Sequence, residues 1–132
     1  LTFNVDKTII YTICILDLRE CIVANIYSDG SWEKLYSDIS NVPNKHGKGG
    51  QSAKRFEKLR NNEIIQWYKS IAEYLKCIDN NFIISINSVY RNRFEGYLNT
   101  YTKNYIIKYI VLENTGNTGV YEFIQLQKTN NY

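Results

Sequence analysis

The sequence has no methionine, one proline (Pro43) and one histidine (His46). As the only histidine, His46 is the sole candidate for the relay that a serine-hydrolase reading of Ser52 would need. The three cysteines, Cys14, Cys21 and Cys77, offer no C-x-x-C spacing. That removes the usual zinc and dithiol redox motifs. Cys14 and Cys21 fall in apolar strand-like runs and Cys77 in a helical one, so all three read as buried free thiols. This fits a reducing, cytoplasmic setting. No apolar run approaches the roughly 20 residues that span a bilayer. The longest, residues 9–18, is broken by Thr12 and Asp17. No membrane partner, metal or cofactor is therefore expected. Charge of one sign is also scarce: 16 Lys and Arg against 13 Asp and Glu leave +3, too little by itself to mark a polyanion binder.

What is present suits one globular domain over residues 1–132, with 44% hydrophobic and 22% charged residues. A chain of this size can bury roughly two thirds of its unfolded surface without staples. It starts at Leu1 without an initiator, so we read it as a fragment of a longer protein. Residues 8–16 and 20–27 are rich in β-branched and aromatic side chains and read as a hairpin. Ser28-Asp29-Gly30 is a turn signal. Trp32, Leu35, Tyr36 and Ile39 suggest a third, less regular strand, completing an antiparallel meander. Residues 40–51 hold Pro43, His46, Gly47, Gly49 and Gly50, with nothing apolar after Val42 and Pro43. Such a stretch cannot bury itself and should be an exposed, mobile loop.

A long helix is expected from Ser52, a fair N-cap residue. Ala53, Phe56, Leu59, Ile64, Trp67, Ile71, Leu75 and Ile78 form its apolar stripe. Over residues 52–78 it would measure about 40 Å. Asn61-Asn62 is a place for it to bend, and residues 79–81 end it. Then come a buried strand at 82–86, an amphipathic helix at 89–98, a strand at 105–112, a polar loop at 114–119 and a short helix at 120–126. The fold class is α/β: a mixed sheet of about five strands covered by helices.

Charge is concentrated in one place. Between residues 44 and 60, Lys45, Lys48, Lys54, Arg55, Lys58 and Arg60 oppose only Glu57, giving +5 and leaving −2 for the rest. A focused patch beside glycines that admit close approach suits a polyanion. Familiar glycine loops do not fit. Gly47-Lys48 is followed by Gly49 where a Walker loop needs Ser or Thr, and Ser52 stands where a dinucleotide fingerprint needs its third glycine. No nucleophile elbow surrounds Ser52. Trp32, Tyr36, Trp67, Tyr68 and Tyr74 read as core or core-edge residues rather than stacking platforms for bases.

The run Pro43-Asn44-Lys45-His46-Gly47-Lys48-Gly49-Gly50-Gln51-Ser52-Ala53-Lys54-Arg55-Phe56, followed by Leu59-Arg60, resembles the GGQ loop of eukaryotic and archaeal class-I peptide chain release factors. The flanking residues match as well as the three-letter core. In outline the resemblance spans the chain, as that family's middle domain. It departs at residues 87–93, where family members tend to have small residues and this chain reads Asn-Ser-Val-Tyr-Arg-Asn-Arg.

The resemblance implies translation termination, by hydrolysis of the peptidyl-tRNA ester in the ribosomal peptidyl-transferase centre. Gly49, Gly50 and Gln51 would be the catalytic set. Lys45, His46, Gly47, Lys48, Ser52, Lys54, Arg55, Lys58 and Arg60 would face RNA. Implied partners are the ribosome with its large-subunit rRNA, peptidyl-tRNA, a class-II release-factor GTPase reached through other domains, and a methyltransferase acting on the Gln51 amide. The isolated domain is not expected to be active. A ribosome-rescue hydrolase and a non-catalytic ribosome-binding paralogue remain open alternatives.

Overall fold

The computed structural model describes residues 7–45 and 51–130. The meander is built by two side-chain-closed turns. At the first, the Asp17 carboxylate accepts from the backbone N–H of Arg19 (2.8 Å) and Glu20 (2.9 Å), joining β1 (Ile9–Leu16) to β2 (Glu20–Tyr27). At the second, Gly30 takes a positive φ of 88° that other residues rarely adopt, and Asp29 accepts from Ser31 N at 2.9 Å. This turn leads into β3 (Trp32–Ile39). The bulge between Val23 and Ala24 in the β2–β3 register accounts for the uneven pattern of β3.

Next come α1 (Gln51–Leu75), β4 (Phe82–Ser85), α2 (Ser88–Glu95), α3 (Thr100–Tyr105), β5 (Ile106–Ile110) and α4 (Gly116–Asn130). The strand order is β3-β2-β1-β4-β5. β1 is antiparallel to β2 and parallel to β4, and β4 is parallel to β5. The mixed sheet read from the sequence is therefore present.

Alternate residues of the central strands supply two cores. Cys14, Leu16, Cys21, Val23, Phe82 and Ile84 pack against Ile64, Trp67, Tyr68, Ile71 and Leu75 of α1 and against Phe94 of α2. On the other face Ile13, Ile15, Ile22, Ala24 and Ile83 meet Val120, Phe123 and Ile124 of α4. Covering both faces explains why the central strands read as nearly continuous apolar runs.

Several boundaries and one burial differ from the sequence reading. α1 starts at Gln51, which puts Ser52 inside the helix and not at its cap. It ends at Leu75, where tight turn bonds from Cys77 N to Tyr74 O (2.9 Å) and Ile78 N to Leu75 O (3.1 Å) close it. Cys77 sits in that turn and is exposed, not buried. It runs unbroken through Asn61-Asn62. The short helix α3 was not expected; Asn99 caps it by accepting from Thr102 N at 2.7 Å. α4 begins at Gly116, inside the stretch expected to be a loop.

Candidate nucleic-acid interface

The chain leaving β3 is fastened before it reaches the glycines. Ser40 N donates to the Arg19 carbonyl at 2.8 Å, and the Ser40 hydroxyl donates to the Leu18 carbonyl. Val42 packs on the core under α1. Arg19 Nη2 donates to Asn44 Oδ1 at 3.2 Å, and Arg60 Nε donates to the Pro43 carbonyl at 3.1 Å. On the far side of the loop, α1 is tied back by Trp67 Nε1, which donates to the Asp17 carbonyl at 2.8 Å. Both flanks of the glycine segment thus hang from the same Asp17–Arg19 turn. No local sequence signal announces these ties, because their partners lie 17 to 50 residues apart.

From there α1 projects away from the sheet. None of residues 52–63 is buried, whereas Ile64 is 1% exposed. The apolar stripe continues outward with less cover: Ala53 and Phe56 are half-buried and Leu59 is 53% exposed. Those turns reach about 18 Å beyond the core contacts at 1.5 Å per residue.

Lys45, Lys54, Arg55 and Lys58 are exposed, and none forms an ion pair among the described residues. Glu57 stands among them. Arg60 is half-buried and held by Pro43, so it positions the loop flank as well as adding charge. A cleft of about 230 Å³ opens between Lys45 and the Phe56, Glu57, Arg60 and Asn61 side chains. The first turn of α1 carries no acidic residue to offset the positive end of the helix dipole. Positive side chains, exposed backbone dipoles and a helix end therefore share one projection, which can bind the phosphates of a nucleic acid.

Gln51 is the first residue of α1, and Ser52 is exposed beside it. His46, Gly47, Lys48, Gly49 and Gly50, the glycine-bearing centre of the loop expected to be mobile, lie outside the described residues. The large aromatics occupy the core roles read from the sequence. Trp67 and Tyr68 are 5% and 1% exposed, and Tyr74 stacks on Tyr36 with ring centres 4.2 Å apart. Among the described residues, no three His, Cys, Asp or Glu side chains converge as metal ligands, and no helix is long and apolar enough to cross a membrane.

A family model described as eRF1 domain 2 matches residues 10–130. Over 64 residues, 48% of this chain, the sequence is 42% identical to a peptide chain release factor subunit 1 from Archaeoglobus fulgidus. Over 65 residues, 49% of the chain, it is 35% identical to the protein of the same name from Pyrobaculum aerophilum. Each match covers 16% of the relative. Among solved structures, the archaeal translation termination factor aRF1 superposes with a TM-score of 0.62 over 91% of this chain and 34% of its own, at 13% identity. The Thermoplasma acidophilum Pelota protein does so with a TM-score of 0.55 over 87% of this chain and 31% of its own, at 22% identity. These last two establish likeness of fold. With the family model spanning nearly every residue, the chain belongs to the eRF1 domain 2 family, the middle domain of class-I peptide chain release factors of the eukaryotic and archaeal type.

Proposed function

We propose that this chain presents the loop through which a termination factor induces hydrolysis of peptidyl-tRNA on the ribosome. The observation that carries this reading is the Gly49-Gly50-Gln51 sequence at the start of a projecting helix with unpaired cations on its outer turns. Ester hydrolysis requires a water in line with the carbonyl and stabilisation of the charge that develops on oxygen. The backbone N–H of Gln51 can donate to the leaving ribose oxygen or to the tetrahedral intermediate, and its amide can orient the water. Neither role requires a titrating group. Gly49 and Gly50 leave the backbone free to approach RNA without a side chain in the way. Lys45, Lys48, Lys54, Arg55 and Lys58 neutralise RNA phosphates, while Arg60 fixes the Pro43 flank. His46 is not needed as a proton shuttle in this scheme.

The surrounding machinery belongs to the same proposal: large-subunit RNA and peptidyl-tRNA at the loop, a class-II GTPase on other parts of the protein, and a methyltransferase for the Gln51 amide, all in the cytoplasm. The test uses the complete protein and ribosomes loaded with labelled peptidyl-tRNA at a stop or a sense codon. Release at the stop codon alone, abolished by Gly49→Ala while ribosome binding persists, is the expected result. Release at both codons identifies a rescue hydrolase. Binding without release identifies a non-catalytic paralogue and refutes the proposal.

A further inference from the structure

Positive charge gathers in a second stretch of the chain. Residues 91–108 carry Arg91, Arg93, Lys103 and Lys108 against Glu95, a balance of +3. Setting aside this stretch and the +5 of residues 44–60 leaves −5 for the rest of a chain whose total is +3. Three elements bring most of these cations together. α2 supplies Arg91 and Glu95 one turn apart, α3 supplies Lys103, and β5 supplies Lys108 and Tyr109. They line an open cleft of about 450 Å³. Its first cation, Arg91, lies in the segment where the sequence departs from the family pattern.

The cleft is built around an ordered guanidinium. Arg91 Cζ lies 4.0 Å from the centre of the Tyr109 ring, and its Nε is 3.9 Å from Glu95 Oε2. The Tyr109 hydroxyl is enclosed beside Glu95 without a well-formed hydrogen bond. Stacking and the ion pair thus restrain Arg91 while about half of its side chain (48%) stays in water. A restrained planar fork loses less entropy on binding an anion and suits the two-pronged geometry of a phosphate. Lys103 is exposed and adds a point charge; Lys108, on the edge strand and paired with Ile83, lines the cleft from the strand's other side. Glu95 orients Arg91 and leaves the cleft at +2.

The kind of anion follows from the arrangement of the two basic regions. α1 and α2 share one core on one face of the sheet, through Tyr68 against Phe94 with ring centres 5.2 Å apart, and Leu98 and Tyr105 bring α3 to that same core. α4 packs on the opposite face. A polymer with regularly repeated charge can engage the α1 cations together with Arg91 and Lys103 from the α1 side and reach Lys108 over the edge strand, whereas a short acidic segment neutralises only one basic region. We infer that the Arg91–Lys103–Lys108 cleft is a second RNA-backbone site, taking phosphate by stacked-arginine recognition, separate from the glycine loop. That the polymer is RNA rests on the termination reading; the phosphate chemistry stands on the cleft.

The test is RNA affinity of the complete protein, with a labelled RNA hairpin followed by fluorescence anisotropy across a salt series. The Arg91→Ala/Lys103→Gln variant should flatten the slope of log affinity against log salt by roughly 0.7–0.9 for each cation removed. Arg91→Lys should keep the slope and lose affinity several-fold, because the charge remains and the stacked fork does not. Lys54→Gln/Arg55→Gln should flatten the slope by a separate, additive amount. All four positions are exposed, and thermal melting reports on the fold. Wild-type slope and affinity in the Arg91/Lys103 variant, with a loss in the Lys54/Arg55 variant, overturns the inference. So does lost binding to a polyglutamate peptide with RNA binding intact, which reassigns the cleft to an acidic protein. A protein that releases no peptide yet shows the expected slopes refutes the termination reading and leaves this site standing.

Discussion

Replacing Gly119 by alanine sets two effects of opposite sign against each other. In an exposed helix the change would add about 1 kcal/mol of stability, since glycine is the poorer helix former. Gly119, however, is buried near the start of α4. A Cβ there would stand 2.6 Å from the Asn114 carbonyl oxygen, 3.1 Å from its carbon and 3.2 Å from Ile15 Cδ1. The oxygen cannot swing aside, because its loop is clamped by Glu122. Asn114 N and Nδ2 donate to Glu122 Oε1 at 2.8 and 3.0 Å, and Glu113 N donates to Oε2 at 2.9 Å. Ile15 is 1% exposed and packed in the core against α4. Overpacking of this kind costs roughly 1–3 kcal/mol. Taking the middle of that range against the propensity gain leaves a net loss of about 1 kcal/mol. For a chain of this size that lowers Tm by roughly 3–6 °C. Urea unfolding followed by Trp fluorescence measures it, with the slope m unchanged. Glu122→Ala on the same background frees the loop and should make the Gly119→Ala loss smaller. A midpoint equal to or above wild type for Gly119→Ala would refute the reasoning.

Two further outcomes are expected. Cys14 and Cys21 are buried with sulfurs 3.8 Å apart, and contact with Cys14 followed by burial pushes the Cys21 thiol well up, whereas Cys77 is exposed. Iodoacetamide should therefore label one of these three thiols in the folded chain and all three in urea, as read by peptide mapping; rapid labelling of Cys14 in native buffer contradicts the packing. Burial raises Tyr36 and Tyr68 to about 12, with Asp38 adding to the effect at Tyr36. Both folded values exceed the unfolded value of about 10, so the stability they contribute is complete below about pH 10 and is lost as pH rises toward 12. The urea midpoint should fall over that window, and absorbance at 295 nm should show a late-ionising class of tyrosines. Ionisation of every tyrosine near pH 10 with the fold intact would contradict their burial.

Elements with strong periodicity were legible in the sequence. Residues 20–27 coincide with β2, and the β-branched run before them is β1. The stripe of α1 was legible too, but its meaning changed along the helix. Trp67, Ile71 and Leu75 meet the sheet, while Ala53, Phe56 and Leu59 keep the same period beyond the core. Period reveals which face of a helix is apolar, not how far the surface beneath it extends. α3 escaped because Thr100–Tyr105 has no apolar period; the available signal was the capping Asn99, as Asn87 is for α2. α4 was cut short because Gly116, Asn117 and Gly119 resemble a loop, although Gly119 is small in order to pass Asn114 and Ile15. At the candidate site the charges were legible one by one. The Arg19–Asn44, Arg60–Pro43 and Trp67–Asp17 ties were not, since each joins residues far apart in sequence.

The thinly covered outer half of α1 has a consequence for how that helix exists at all. A twelve-residue stretch such as 52–63 is marginal as a helix in water by itself, because initiating the first turn is unfavourable. In α1 the initiation is supplied by the turns from Ile64 to Leu75, clamped against the sheet. The outer turns only propagate an existing helix, one hydrogen bond per residue. Their shape is inherited from the buried turns, since none of residues 52–63 is itself buried. Composition there answers less to packing and more to charge and reach, whereas each core-facing position from Ile64 inward answers to the sheet.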